Sequence, residues 1–141
     1  MRRIVLIACC AKKLARPAPA HLLYASPLFR LSVRYAGSLA PDAIFILSAK
    51  HGLVAPGDVI APYDDSLREM SAKQRRAWSM NVIDSLRAVS DLERDSFVFL
   101  AGQTYRSTLV GFMTNTSVPM VGLRIGHQMQ FLTRAAASPP P

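Results

Sequence analysis

Four short apolar runs, each followed by a polar loop, organise the chain. The run from Ala43 to Leu47 is uninterrupted and rich in β-forming residues, as in a strand that is buried on both faces. Similar runs predict strands at 3–8, 96–101 and 118–123. Prolines 17 and 19 predict an irregular loop after the first strand.

Helix signals lie between these runs. Ser26-Pro27 predicts an N-cap followed by proline in the first turn, with a helix to about Leu39. Ser71 and Gln74 form a capping-box pattern at the start of a helix to about Ser90. A short helix to about Thr114 and a last helix carrying Met129, Leu132 and Ala136 complete the pattern. The expected buried positions are Leu28, Leu31, Tyr35 and Leu39 in the first helix and Trp78, Val82, Ile83, Leu86 and Val89 in the second, which should expose Lys73, Arg75, Arg76 and Arg87.

The alternation of strands and helices predicts the fold class. Without an Asn-Gly hairpin signal, it indicates an α/β protein with a four-stranded parallel sheet in a three-layer α/β/α sandwich. Right-handed crossovers would bring all four strand ends to the same edge of the sheet. We expect one domain over residues 1–136 and a disordered tail over 137–141.

Composition narrows the class of protein. Half of the 141 residues are hydrophobic, but no apolar run reaches the roughly 18 residues that span a membrane. The N-terminus lacks the long apolar stretch and cleavage site of a secretory signal, so a cytoplasmic protein is expected. The two cysteines are adjacent and the three histidines scattered, which argues against a disulfide framework and against structural zinc. We expect neither a metal nor a cofactor.

The charge points to an anionic partner. The chain has 17 Lys and Arg residues and nine Asp and Glu residues, which gives a formal net charge of +8 and a pI near 10.2. A nucleotide or a nucleic acid is the usual partner of such a surface.

Candidate chemistry lies at the strand ends, where open α/β sheets collect their ligands. The four ends and the loop after the second strand should bring eleven polar or reactive residues and two loop residues to one edge. They are Cys10, Lys12, Lys13, Ser48, Lys50, His51, Gln103, Tyr105, Arg106, Arg124 and His127, with Tyr63 and Asp64 from the loop.

We predict catalytic roles for Asp64, His51 and Lys50. Asp64 could orient water or stabilise an oxocarbenium-like sugar, and His51 or Lys50 could neutralise a departing base. Tyr63 either stacks on a base or packs under its loop. Substrate binding is predicted for Cys10, Lys12, Lys13, Ser48, Tyr63, Gln103, Tyr105 and Arg106. The chain has no Walker A, Gly-x-Gly-x-x-Gly or Gly-x-Ser-x-Gly motif, which disfavours nucleotide hydrolysis, dinucleotide redox chemistry and α/β-hydrolase chemistry.

Three segments carry a resemblance to a known family. Residues 23–29 read Leu-Tyr-Ala-Ser-Pro-Leu-Phe, residues 48–53 read Ser-Ala-Lys-His-Gly-Leu, and residues 62–64 read Pro-Tyr-Asp. The chain resembles, over nearly its whole length, an uncharacterised bacterial and phage domain family with these motifs.

The order of motifs is also remotely similar to the core domain of archaeosine synthase, a tRNA deazaguanine-modifying enzyme, and through it to the uracil-DNA glycosylase fold. That resemblance implies a four-stranded parallel sheet and a nucleobase-related ligand. The chain departs from the pattern with Cys9-Cys10 in place of Pro-Cys. It also lacks the aspartate that a uracil glycosylase carries just after its first strand.

Two functions follow as hypotheses. The first is an enzyme that acts on a nucleobase or its N-glycosidic bond, in a nucleotide or in nucleic acid. The alternative is a non-catalytic nucleic-acid-binding module in DNA modification or phage defence. Such a module needs the basic surface but does not need the carboxylate of Asp64.

Overall fold

A computed structural model describes residues 1–137, which are built around a central β-sheet. The strands are β1 (Arg3–Ala8), β2 (Ala18–Pro19), β3 (Ala43–Ser48), β4 (Gly52–Val54), β5 (Val59–Ile60), β6 (Ser96–Leu100) and β7 (Asn115–Ser117). The α-helices are α1 (Ala20–Leu23), α2 (Pro27–Ser38), α3 (Ala72–Val89), α4 (Gln103–Arg106) and α5 (Ile125–Ala137), and 3₁₀ helices span Leu67–Glu69 and Val110–Phe112.

The central sheet has five strands in the order β4-β3-β1-β6-β7. The last four of these are mutually parallel, and β4 is antiparallel to β3. Strand β1 lies in the middle, and its residues from Ile4 to Ile7 are completely buried. The mixed α/β class and the mainly parallel sheet are confirmed, whereas the predicted count of four strands is wrong.

The fifth strand comes from a hairpin that lacks the Asn-Gly signal. Ser48 pairs with Gly52, so only three residues form the turn between β3 and β4. Gly52 has φ +73°, a conformation that other residues rarely adopt, and the Ser48 hydroxyl accepts a hydrogen bond from the His51 amide. A glycine and a serine therefore close this turn.

The predicted fourth strand is displaced. Residues 118–123 form consecutive turns, in which Val121 N donates to Val118 O, and the parallel strand is the polar segment β7. Pro119 has no amide hydrogen to donate to a sheet, and Gly122 has φ +79°. These two residues explain why an apolar run does not form a strand here.

The helices lie in two layers. The chain moves from β1 to β3 in one direction along the sheet and from β3 to β6 in the other. By the right-handed rule for such crossovers, α2 and α3 belong to opposite faces of the sheet. Helix α5 packs against α2, and α3 packs against β4. The predicted caps are confirmed: Ser26 accepts from Phe29 N, and Ser71 with Gln74 forms the capping box.

Several burial predictions need correction. In helix α2 the predicted burial of Tyr35 is confirmed, whereas Leu28, Leu31 and Leu39 are only half-buried against the core. The fully buried side also carries Phe29, Ser32 and Ala36, because the sheet and α5 meet the helix there. Val89, in the last turn of α3, is 41% exposed. Arg75 is half-buried because its guanidinium bonds the carbonyls of Leu67 and Arg68.

Two loop predictions are also wrong. The segment with the two prolines is not fully irregular, because β2 pairs with β5 and α1 follows directly. The short helix predicted to reach Thr114 ends at Arg106 and is followed by a separate 3₁₀ turn.

The end of the chain is described in part. Ala137 closes α5, and the rest of the predicted tail, residues 138–141, lies outside the described residues. No helix within residues 1–137 is both long and apolar enough to cross a membrane.

Candidate functional site

Two adjoining cavities open at the carboxyl ends of β1 and β6. Their volumes are about 460 and 340 Å³, and both are lined by Cys9, Cys10, Arg68 and Tyr105. The chain leaves β1 toward β3 on one side and later returns to β6 on the other. This reversal of strand order is where open α/β sheets form their ligand sites. The two cavities therefore form one candidate cleft.

The larger cavity has more apolar than polar surface, and polar side chains that include Arg68 and Arg106 form part of its wall. Phe99 and Leu100 of β6 contribute to its lining, and Gln103 and Arg106 of α4 add polar side chains. Segments of α2, α5 and the turns before α5 complete the wall, through Ser26, Leu28, Phe29, Ser32, Val118, Met120, Gly122, Leu123, Ile125 and Gln128. An apolar cavity with a few polar groups is typical of small-molecule sites of this size.

The smaller cavity is strongly charged. Lys13, Asp64, Asp65 and Arg68 line it, together with Ser66 and the two cysteines. Within residues 1–137 the only ion pair joins Arg87 and Asp84 on α3, so these cations and carboxylates share a cavity without pairing. Unpaired cations beside unpaired carboxylates suit a ligand that carries an anion and undergoes proton transfer.

Lys13 is held in place by aromatic rings. Its Nζ lies 4.4 Å from the ring centre of Tyr63 and 5.7 Å from that of Tyr24, and it also donates to Ala11 O. Attraction of the ammonium to the ring faces fixes the side chain at the cavity wall.

Arg68 is positioned through its backbone. It lies in the 3₁₀ turn Leu67–Glu69, whose carbonyls at Leu67 and Arg68 accept hydrogen bonds of 2.8 and 3.0 Å from the guanidinium of Arg75. Arg75 therefore supports the cleft from α3, while its own side chain lines neither cavity.

A chain of buried hydroxyls lies beneath the charged cavity. The Tyr63 hydroxyl is 2.5 Å from that of Tyr24 and 2.7 Å from that of Ser48, and Trp78 Nε1 donates to Ser48 O. Burial raises the pKa of Tyr24 to about 12 and raises the pKa of Tyr63 further, so both hydroxyls stay protonated. These hydrogen bonds between hydroxyls hold Tyr63 in place, and they thereby position the start of the segment that carries Asp64.

The junction of the two cavities holds a thiol and a phenol. Cys9 Sγ is 3.2 Å from the hydroxyl of Tyr105, whose ring meets Trp78 edge-on. Burial, followed by the electrostatic interaction with Cys9, raises the pKa of Tyr105 well above its ordinary value. The raised pKa favours the protonated form of the Tyr105 hydroxyl, which can donate a hydrogen bond at the point where the cavities meet.

The structure brings many of the predicted site residues together. Cys10, Lys13, Asp64, Gln103, Tyr105 and Arg106 line the cleft. Tyr63 and Ser48 lie beneath it, and the Tyr63 ring, only 7% exposed, is packed under its loop, which is the second of its two predicted arrangements.

The other predicted residues lie outside the two cavities. Lys50 and His51 are exposed in the β3–β4 turn, where His51 meets the Tyr63 ring edge-on. Lys12 and Arg124 are exposed and line neither cavity, and His127 lines a separate depression on α5. Among the described residues, no three His, Cys, Asp or Glu side chains are arranged to hold a metal ion.

The residues that sequence reasoning missed include Cys9, Arg68 and Gln128. Cys9 and Arg68 line both cavities, and Gln128 of α5 lines the larger one. Cys9 directly follows β1, which was a usable signal, whereas nothing in the local sequence distinguishes Arg68 from the other exposed arginines.

The hydroxyl chain leads to a stability prediction. In Tyr63→Phe, the hydroxyls of Tyr24 and Ser48 both lose a buried partner, which we expect to cost about 1–3 kcal/mol of unfolding free energy. The matched variant Tyr24→Phe leaves Tyr63 bonded to Ser48, so its cost should be smaller. Urea unfolding measures both, and a smaller loss for Tyr63→Phe than for Tyr24→Phe would contradict the central place of Tyr63.

Comparisons with known proteins give a family and a similar protein. A family model described as "Family of unknown function (DUF6884)" matches residues 4–134. The chain is also similar to the uncharacterized protein YfjM of Bacillus subtilis (strain 168), with 32% identity over 146 residues that cover 96% of this chain and 95% of that protein. No solved structure gives a significant match.

Proposed function

Since the chain belongs to the DUF6884 family, whose function is unknown, we propose from the geometry of its cleft that it is an enzyme acting on a nucleobase or its N-glycosidic bond. The substrate is a nucleotide, free or within nucleic acid. One observation carries the proposal: a cavity whose surface is more apolar than polar adjoins a more polar cavity that holds two cations and two carboxylates. The parts of a nucleotide differ in the same way, with a flat base at one end and a phosphate at the other.

The base would occupy the larger cavity. Leu28, Val118 and Leu123, which are partly exposed in its wall, offer it an apolar surface. The amide of Gln103 can both donate to and accept from a base edge. The phosphate would bind between Lys13 and Arg68 in the smaller cavity. The glycosidic bond then lies at the junction, near Cys9 and Tyr105.

The chemistry requires a base and a donor. In hydrolysis, the oxygen of a water molecule bonds to the anomeric carbon while the C–N bond breaks, and the electron pair of that bond leaves with the nucleobase. Asp64 accepts the proton of the water, and the protonated hydroxyl of Tyr105 donates a hydrogen bond to the departing base. Lys50 and His51 line neither cavity, so the proposal assigns them no step.

The remote resemblance to archaeosine synthase and uracil-DNA glycosylase agrees with this proposal. The mainly parallel sheet and the cleft at its carboxyl edge are consistent with a nucleobase ligand. In this chain the carboxylate comes from the loop after β5, because the segment after β1 carries Cys9 and Cys10 instead of an aspartate.

Binding of a nucleoside 5′-monophosphate tests the arrangement. Arg68→Ala should weaken the affinity for the monophosphate about 10-fold, the lower part of the range for a hydrogen bond to a charged group. Affinity for the matching nucleoside should stay constant, because the nucleoside has no phosphate for Arg68 to bind. Isothermal titration calorimetry measures both affinities.

Arg94→Ala is the matched control, since Arg94 is exposed just before β6, at the opposite edge of the sheet. Equal losses for nucleoside and monophosphate in Arg68→Ala would show that the phosphate does not lie at Arg68. If the wild-type protein bound neither compound, the proposed nucleotide site would be wrong.

A further inference from the structure

The acidic residues occupy only the middle of the chain. All nine lie between Asp42 and Asp95, so the segments before and after carry Lys and Arg without a single carboxylate side chain. Helices α2 and α5 belong to these two acid-free segments, whereas α3 belongs to the mixed middle. The fold brings the two acid-free helices together.

Helices α2 and α5 form one layer of the molecule. They pack against each other, with the rings of Tyr35 and Phe131 in edge contact at 5.5 Å. Their apolar sides are directed inward, as the burial of Phe29, Ala36 and Leu132 shows. Their opposite sides therefore form one continuous outer surface.

That outer surface is basic. Arg30 and Arg34 are exposed one turn apart on α2, and His127 and Arg134 are exposed two turns apart on α5. Together with the exposed Arg124, which precedes α5, these residues define the α2/α5 face. A shallow depression of about 410 Å³, lined in part by His127, Phe131 and Arg134, lies on it.

The opposite layer differs in its charge pattern. Helix α3 exposes Lys73, Arg76 and Arg87, but it also exposes Asp84, which pairs with Arg87 at 3.5 Å. The α2/α5 face therefore carries four exposed arginines without a carboxylate, whereas α3 mixes both signs. A surface of one charge sign attracts a polyanion.

We propose that the α2/α5 face binds the phosphodiester backbone of a nucleic acid. Helix α2 is about 18 Å long, a length over which one strand of a duplex carries about five phosphates, so the face suits a polymer better than a single nucleotide. A helix that lies on a membrane would present its apolar side outward, whereas α5 turns its apolar side toward α2.

The face leads directly to the cleft. Ser26 and Phe29 near the start of α2, and Ile125 and Gln128 at the start of α5, line the larger cavity. A strand bound along the two helices would reach the cavity opening at their N-terminal ends. This inference rests on the proposed function, and it makes the substrate a nucleotide within a polymer.

Two triple variants with equal charge test the proposal. Arg30→Ala/Arg34→Ala/Arg134→Ala removes three positive charges from the α2/α5 face, and Lys73→Ala/Arg76→Ala/Arg87→Ala removes three from α3. All six positions are exposed on helices, where alanine is well tolerated. The probe is a fluorescently labelled single-stranded DNA, and its affinity is measured by anisotropy at several salt concentrations.

We expect the first variant to lose about 10-fold or more in affinity for the probe. The slope of log Kd against log salt should decrease by about 2, because three phosphate contacts are lost. The α3 variant should stay near the wild type. Equal losses in both variants, or no binding of the probe by the wild type at low salt, would overturn the proposal.

Two further measurements separate the possible failures. Binding of a nucleoside 5′-monophosphate should be unchanged in the α2/α5 variant. If the wild type binds the monophosphate but its DNA affinity does not change in the α2/α5 variant, the proposed DNA-binding face is wrong and the proposed nucleotide site in the cleft is retained. If DNA binds through the face but no monophosphate binds, the proposed function is wrong. Co-sedimentation with phosphatidylglycerol vesicles, without DNA binding, would assign the face to a membrane instead.

Discussion

Asp64→Asn is expected to reduce turnover about 100-fold or more while the affinity for substrate stays close to that of the wild type. A carboxylate that activates water acts in the transition state and contributes little to ground-state binding. The amide keeps the shape of the side chain but cannot accept the proton. Turnover is measured as release of free base, by chromatography, from a panel of nucleotides and oligonucleotides that the wild-type protein cleaves.

Two other aspartates provide the comparisons. Asp65 lines the same cavity, so Asp65→Asn tests whether the neighbouring carboxylate performs the role instead. Asp84 is exposed on α3, and Asp84→Asn should leave turnover unchanged. If Asp64→Asn retained the turnover of the wild type, Asp64 would not be the base that activates water. A non-catalytic binding module would show no turnover in the wild type, and Asp64→Asn would then leave affinity for a polyanion unchanged or raise it.

Trp78→Ala is expected to cost about 3–5 kcal/mol of unfolding free energy, the range for truncating a buried aromatic residue. Trp78 is 7% exposed, bonds Ser48 O through its indole nitrogen at 2.8 Å, and meets the ring of Tyr105. The substitution leaves a cavity beneath the cleft and removes the link between α3 and the end of β3.

Denaturant unfolding at equilibrium measures this loss. Met80 lies on the same helix and is 43% exposed, so Met80→Ala should change the unfolding free energy by only about 0.5 kcal/mol. A cost for Trp78→Ala below about 1.5 kcal/mol would mean that the indole does not hold the hairpin and the cleft together.

The sequence predicted those parts of the fold that depend on local chemistry. Strand β1 is an apolar run and was placed at its observed bounds, and the caps at Ser26 and Ser71 form as their side chains require. Strand β7 could not be found in this way. Its residues are Asn-Thr-Ser, all exposed, and only pairing with β6 makes the segment a strand.

The same distinction holds for the candidate site. Cys10, Tyr105 and Asp64 reach the cleft because they follow strand ends or lie in the long loop, positions that the sequence pattern indicates. The hairpin β3–β4 carries Lys50 and His51 away from the two cavities, and an isolated sequence gives no sign of that pairing. Arg68 enters the cleft on a 3₁₀ turn whose carbonyls accept hydrogen bonds from Arg75, seven residues further along the chain in α3. Helix propensity and capping signals do not indicate this side-chain contact.

A crystal of the protein soaked with a nucleoside 5′-monophosphate tests the central claim most directly. We expect a base in the larger cavity within hydrogen-bond distance of Gln103, and a phosphate between Lys13 Nζ and the guanidinium of Arg68. The anomeric carbon should lie near Asp64. A nucleotide bound away from both cavities, for example at Lys50 and His51 in the hairpin turn, would contradict the account.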